Sequence, residues 1–168
     1  MNKICLTFLL LLVMVAVSMV QAQQLSGAFQ TNDKNAIAAT VVKLFAGMRA
    51  GDSALVRSVM APVARFVSVS VGPDGVVKTQ ETLLSNFLKA IGTPHAEVWD
   101  ERISNGKAEA EGNLGTYWCQ YTFYIGNKFS HCGVDAFQLI RTEKGWKIFQ
   151  VADTRRKDNC NLSAGPTK

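Results

Sequence analysis

From Glu97 to Asp153 the chain is a succession of long apolar–polar alternating segments broken only by short turn signals. Segments with that period bury one face each, which makes an antiparallel sheet the frame of the fold. Glu97 to Ile103 alternates Val, Trp and Ile with charged residues, and Asn105-Gly106 predicts a hairpin turn. Lys107 to Ile125 predicts a long strand region, bent or bulged at Gly112 or Gly115. Gly126-Asn127 predicts a tight turn, Lys128 to Thr142 a return strand, and Glu143-Lys144-Gly145 a second turn into Trp146 to Asp153.

The apolar cover for this sheet lies upstream. Ile37, Val41, Leu44, Phe45 and Met48 repeat at helical spacing behind Asn32 or Asp33 as a cap, and Gly51 predicts the end of that helix. Asp52 or Ser53 can cap a short second helix carrying Leu55, Val56, Val59 and Met60, with Pro62 closing it. Arg65 to Val71 alternates as a strand, reversed at Gly72-Pro73-Asp74-Gly75 into Val76-Val77. Thr79 is the expected cap of a third helix with Leu83, Leu84, Phe87, Leu88 and Ile91 on its inner face, stopped by Gly92-Thr93-Pro94. The fold class is therefore α+β, a domain of three helices packed on a strongly curved antiparallel sheet.

The first residues read as an address label. Lys3 precedes an apolar run from Leu6 to Val20, and Val20-Gln21-Ala22 offers small or modest side chains for cleavage before Gln23. The run is about 15 residues long, against about 20 for a bilayer-spanning helix. The expected organisation is a signal peptide over 1–22 and a single domain over 23–168, exported to the periplasm or beyond, with no membrane association after cleavage. The formal charge of +5 comes from scattered cations, apart from Arg155-Arg156-Lys157, so nucleic acid is not an expected partner. With the leader gone, Cys119, Cys132 and Cys160 remain, and an oxidising compartment predicts one disulfide and one thiol left over. With His95 and His131 as the only histidines and no C-x-x-C spacing, no metal or cofactor is expected.

The order of helix, short helix, hairpin, third helix and long curved strands resembles the nuclear-transport-factor-2-like cone fold, which includes SnoaL-like and ketosteroid-isomerase-like proteins. The stretch "YWCQYTFYIGNKFSHCGVDAFQLIRTEKGWKIFQVADTRRKDNC" from Tyr117 to Cys160 carries most of the likeness. Its close, "DAFQLIRTEKGWKI", is similar to the final hairpin of many such domains, and "FSHCGVDAF" resembles a secreted bacterial branch of unassigned activity. The resemblance implies a cavity on the concave sheet face under the helices. It does not choose among the isomerases, dehydratases, carriers and interaction modules that share the fold.

A two-residue turn at Gly126-Asn127 would pair Tyr124 with Phe129, Thr122 with His131, Gln120 with Gly133 and Trp118 with Asp135. Trp118, Gln120, Tyr124, His131, Asp135 and Phe137 would then share one face, an aromatic wall with a few polar groups. Asp135 lies between Val134 and Ala136, so it is either a general acid or base (or ligand partner) with a displaced pKa, or a structural carboxylate bonded to a donor such as the Trp118 indole. His131 can shuttle protons or simply be solvated near a hairpin end. Trp118, Gln120, Tyr124 and Phe137 would line the ligand. Asp74, Asp100 and Glu101 read as turn or charged-strand residues, leaving no second carboxylate beside Asp135. No G-x-S-x-G, phosphate loop or H-E-x-x-H motif occurs.

Three functions follow as expectations. One is a domain binding a small, partly apolar molecule, and another is an isomerase- or dehydratase-type enzyme using Asp135. The last is an interaction module, a homodimer formed through an outer face of Tyr117, Tyr121, Phe123 and Val134. For the disulfide, the same register sets Cys119 opposite Val134, two residues from Cys132. That diagonal is about 7 Å between Cα atoms, at the limit for an unstrained bridge. The likeness to the secreted branch, where "SHCG" and "DTRRKDNC" look like paired features, implies Cys132–Cys160 instead.

Overall fold

Helix α1 occupies residues 31–50 in the computed structural model, which describes residues 31–160. The expected leader, its cleavage site and Cys5 lie outside the described residues. From Lys34 onward the chain forms one compact unit. Ile37, Val41, Leu44 and Phe45 give α1 a single buried stripe, as their spacing requires. Asn32 and Asp33 are already helical rather than capping. Gly51 adopts φ 65°, and its N–H and that of Asp52 return to the Met48 and Gly47 carbonyls, closing α1 with a left-handed residue only glycine adopts cheaply. Asp52 then caps α2 (Ser53–Val59), its carboxylate accepting the Leu55 N–H at 2.8 Å.

Strands β1 (Met60–Val71) and β2 (Val77–Leu83) form the hairpin around the Gly72–Gly75 turn. Pro62 therefore lies within β1, on a stretch where the pairing is irregular. Thr79 is not a helix cap. It pairs with Val69 in β2, because backbone pairing with β1 continues to Leu83, and α3 (Leu84–Gly92) starts only there. Four long strands follow: β3 (Trp99–Glu111), β4 (Leu114–Ile125), β5 (Lys128–Thr142) and β6 (Gly145–Arg155). The six strands are ordered β2-β1-β6-β5-β4-β3.

Helices on a curved sheet are as expected, but the sheet is mixed, since β1 runs parallel to β6. The β5–β6 hairpin leaves β6 with one free edge, and the β1–β2 hairpin occupies it in the direction set by its own connections. Asn105-Gly106 is not a hairpin turn. Asn105 takes φ 54° within β3, where the pairing with β4 shifts between Ser104 and Lys107, so left-handed geometry here makes a bulge. The reversal between β3 and β4 comes at Gly112, φ 55°.

A disulfide joins Cys132 to Cys160, and Cys119 is a buried free thiol. Cys132 and Arg156 also exchange both backbone hydrogen bonds at 2.9 Å, so the segment after β6 is tied to β5 twice. The bridge closes a loop with a sequence separation of 28, worth about 3.5 kcal/mol in the chain-entropy model. Cys160→Ser is expected to lower unfolding stability by about that amount in denaturant titration. A loss within experimental error of zero would mean that the bridge constrains nothing.

Candidate functional site

One residue decides which side chains meet under the helices. Tyr124 pairs with Phe129 as the Gly126-Asn127 turn dictates, but Phe123 pairs with His131, leaving Ser130 as an extra residue in β5. Beyond this bulge Asp135 lies opposite Cys119, and Trp118 lies opposite Ala136. The expected common face is therefore corrected on the β4 side. Tyr121 and Phe123 share the inner face with His131, Asp135 and Phe137. Trp118 is turned outward and 51% exposed, Gln120 is exposed beside it, and Tyr124 is stacked under the Arg102 guanidinium at 4.1 Å. The expected outer dimer face is corrected in the same way, because Tyr117 and Tyr121 are buried.

The inner face encloses a cavity of about 290 Å³. Helix α1 contributes Leu44, Phe45 and Met48, α3 contributes Phe87, and β1–β2 contribute Phe66, Ser68 and Thr82. Aromatic rings form much of the wall, with Phe66 and Phe87 4.5 Å apart and Phe45 edge-on to Phe137 at 6.0 Å.

Polar groups cross the floor in register. Ser68 pairs with Asp153, Asp153 with Asp135, and Asp135 with Cys119 across β1, β6, β5 and β4. The Ser68 hydroxyl donates to Asp153 Oδ1 at 2.6 Å, and Arg155 Nε donates to Asp153 Oδ2 at 2.8 Å. Asp153 is thus held by a hydroxyl and a guanidinium. Asp135 is 3% exposed and has neither. Its polar contacts are the Cys119 thiol, 3.8 Å from Oδ2, and the carboxyl of Glu101 on β3. Glu101 lies opposite Phe123, and the curl of the sheet brings it over Asp135.

Two carboxyls in contact inside an apolar wall cannot both ionise cheaply. Burial is the main cause that pushes Asp135 well above the usual carboxylate range, reinforced by the charges of Glu101 and Asp153. Burial likewise raises Glu101 to about 7, although the hydrogen bond from Asp135 works the other way. Asp135 therefore keeps its proton and donates it to Glu101. Burial also pushes the Tyr121 phenol and the Cys119 thiol upward, so both stay protonated and Cys119 is no nucleophile. Tyr121 donates to the Thr154 carbonyl at 2.9 Å. His131 sits 5.1 Å from the Phe123 ring and 3.0 Å from the Ser130 hydroxyl, and burial followed by the Arg155 charge lowers its pKa.

Of the residues expected at the site, Asp135, His131 and Phe137 line the cavity, and Trp118, Gln120 and Tyr124 do not. Glu101, Asp153, Arg155 and Tyr121 were missed as site residues. Asp100, read with Glu101 as a charged-strand residue, is buried between Arg49 and Arg102.

No protein-family model matches the chain, and no curated protein does. Solved structures do. An NTF2-like protein with a cystatin-like fold from Novosphingobium aromaticivorans superposes with a TM-score of 0.62 at 14% identity, covering 86% of this chain and 92% of that one. An NTF2-like superfamily protein from Salmonella enterica gives 0.59 at 14%, covering 80% and 98%. A proposed dehydratase of the NTF2-like family from Streptomyces avermitilis gives 0.55 at 15%, covering 75% and 97%. The chain has the NTF2-like fold.

The raised carboxyl pair makes stability depend on pH. Between the ordinary glutamate pKa and about 7 the folded state holds a proton that the unfolded chain has released. The pair's contribution is thus full below that window and is lost as pH rises through it, while His131 contributes a slope of opposite sign. Glu101→Gln removes one titrating group, so its unfolding free energy measured from pH 4 to pH 8 should lose this fall, worth up to about 3 kcal/mol. Parallel curves for the two proteins would contradict the shift.

Proposed function

We propose, with the NTF2-like fold as premise, that this chain is an exported domain that binds a small, partly apolar molecule in the cavity and engages it through the Glu101–Asp135 pair. The observation that carries the reading is the pair itself. An aromatic cavity near the lower end of the usual ligand-site volume range holds two hydrogen-bonded carboxyls, one retaining its proton. Asp135 can turn its single proton from Glu101 to a ligand carbonyl or hydroxyl oxygen, and Glu101 can then accept from a ligand donor. Export is supported by the Lys3 and Leu6–Val20 pattern and by the Cys132–Cys160 disulfide, a bond that persists in oxidising compartments.

A second reading is favoured by the same pair. Near neutral pH it holds one transferable proton, which suits acid–base chemistry of the isomerase or dehydratase type. Asp135 would give a proton to the substrate and Glu101 would take one, with His131 at the edge of the cavity as a relay. The Streptomyces avermitilis neighbour is described as a proposed dehydratase, which is compatible with this chemistry. A homodimer through the outer sheet face would use Leu114, Trp118 and Ile140, all exposed there.

Native mass spectrometry of the exported protein is expected to show a retained small molecule. Asp135→Asn is expected to keep the fold, since an amide can still donate to Glu101, but to weaken retention about tenfold, because an amide N–H is a weaker donor to the ligand than a carboxylic O–H. Unchanged retention in the folded variant would remove Asp135 from the site.

A further inference from the structure

The mouth of the cavity is built differently from its floor. His131 and Arg155 line the cavity and also border an outer groove, which runs between the Gly72-Pro73 turn and the Arg156-Lys157 segment. Three consecutive cations near a chain end are ordinarily a solvated tail. Here the run is clamped. Arg156 exchanges both backbone hydrogen bonds with Cys132, and the Cys132–Cys160 bridge closes the segment from its far side.

The cations differ in how far they are engaged. Arg155 is held by Asp153 at 2.8 Å, and Arg156 reaches only the Asn159 carbonyl at 3.4 Å. Lys157 forms no ion pair among the described residues, and Asp158 is the acid that shares the groove with them. Their field is felt inside, because Arg155 and Lys157 both act to lower the pKa of His131, against Asp153 and after burial itself. The floor has the opposite character, with Glu101, Asp135 and Asp153 facing inward. An anionic group is repelled from the floor and attracted to the mouth.

We propose that the groove at Arg156 and Lys157 is an anion subsite of the cavity. The ligand class is then an organic anion, an apolar body bearing a carboxylate, sulfate, sulfonate or phosphate at one end. This rests on the cavity reading given above and deepens it. The apolar body enters toward Phe66 and Phe87, and the charged head stays outside between Gly72 and Lys157. Binding also draws a proton onto His131, so affinity rises as pH falls through the His131 titration.

The test uses fluorescence titration of the full domain with anilinonaphthalene sulfonate and with its uncharged parent, N-phenylnaphthylamine. The sulfonate probe is expected to bind about tenfold more tightly, an advantage that salt erodes. The double variant R156Q/K157Q should abolish that advantage while leaving the uncharged probe within about twofold of its original affinity. Thr82→Trp, which fills the cavity from β2, should weaken both probes. Equal binding of the two probes, with R156Q/K157Q changing neither, overturns the subsite while the cavity stands. Sulfonate binding that needs Arg156 and Lys157 but ignores Thr82→Trp also overturns it, since the anion would then bind a surface unconnected to the cavity. If Thr82→Trp affects neither probe, the cavity reading fails as well.

Discussion

Strand alternation gives each residue of a sheet one of two faces, so a single inserted residue exchanges the inside and the outside of everything beyond it. Ser130 is such a residue. It allows the tight turn at Gly126-Asn127 and still brings His131, Asp135 and Phe137 onto the same face as Tyr121 and Phe123. The core under α1, the row from Ser68 to Cys119 and the outward position of Trp118 all depend on that register. Without the bulge, one of the two strands would bury its polar set.

The inner face then carries a cost that the fold meets by chemistry. Burying a lone carboxylate in an aromatic cavity is expensive, and removing water from two adjacent ones is worse. Asp153 is met instead by the Ser68 hydroxyl and the Arg155 guanidinium, which both donate to it. Asp135 and Glu101 escape by retaining a proton between them. An arrangement of this kind adds little to stability and is costly above neutral pH. Charge is divided in the same way, with Glu101, Asp135 and Asp153 lining the cavity, Arg155 and His131 shared between it and the outer groove, and Arg156 and Lys157 in the groove alone.

Much of this was legible in the residues. The helix boundaries at Gly51 and Gly92, the α+β class and the closing β5–β6 hairpin follow from turn chemistry and period. Asp135 stood out because a carboxylate between Val134 and Ala136 must be either paired structurally or used. The face of β4 does not follow from the turn, because a bulge that shifts the register leaves no mark there. Alternation within β4 held the better signal. Tyr117, Cys119, Tyr121, Phe123 and Ile125 form the apolar set, whereas Trp118 is flanked on its own face by Thr116 and Gln120. Glu101 was hidden for another reason. Its partner lies two strands away, and only the curl of the sheet brings them together. Asn105-Gly106 misled because left-handed residues make bulges as readily as turns.

The proton shared by Glu101 and Asp135 in the cavity is open to direct observation. Carbon-13 NMR of the side-chain carboxyls through a pH titration reads it directly, residue by residue. Glu101 is expected to titrate at about 7 while Asp135 remains protonated well above the ordinary aspartate range. Independent titration of both carboxyls near pH 4 would contradict it.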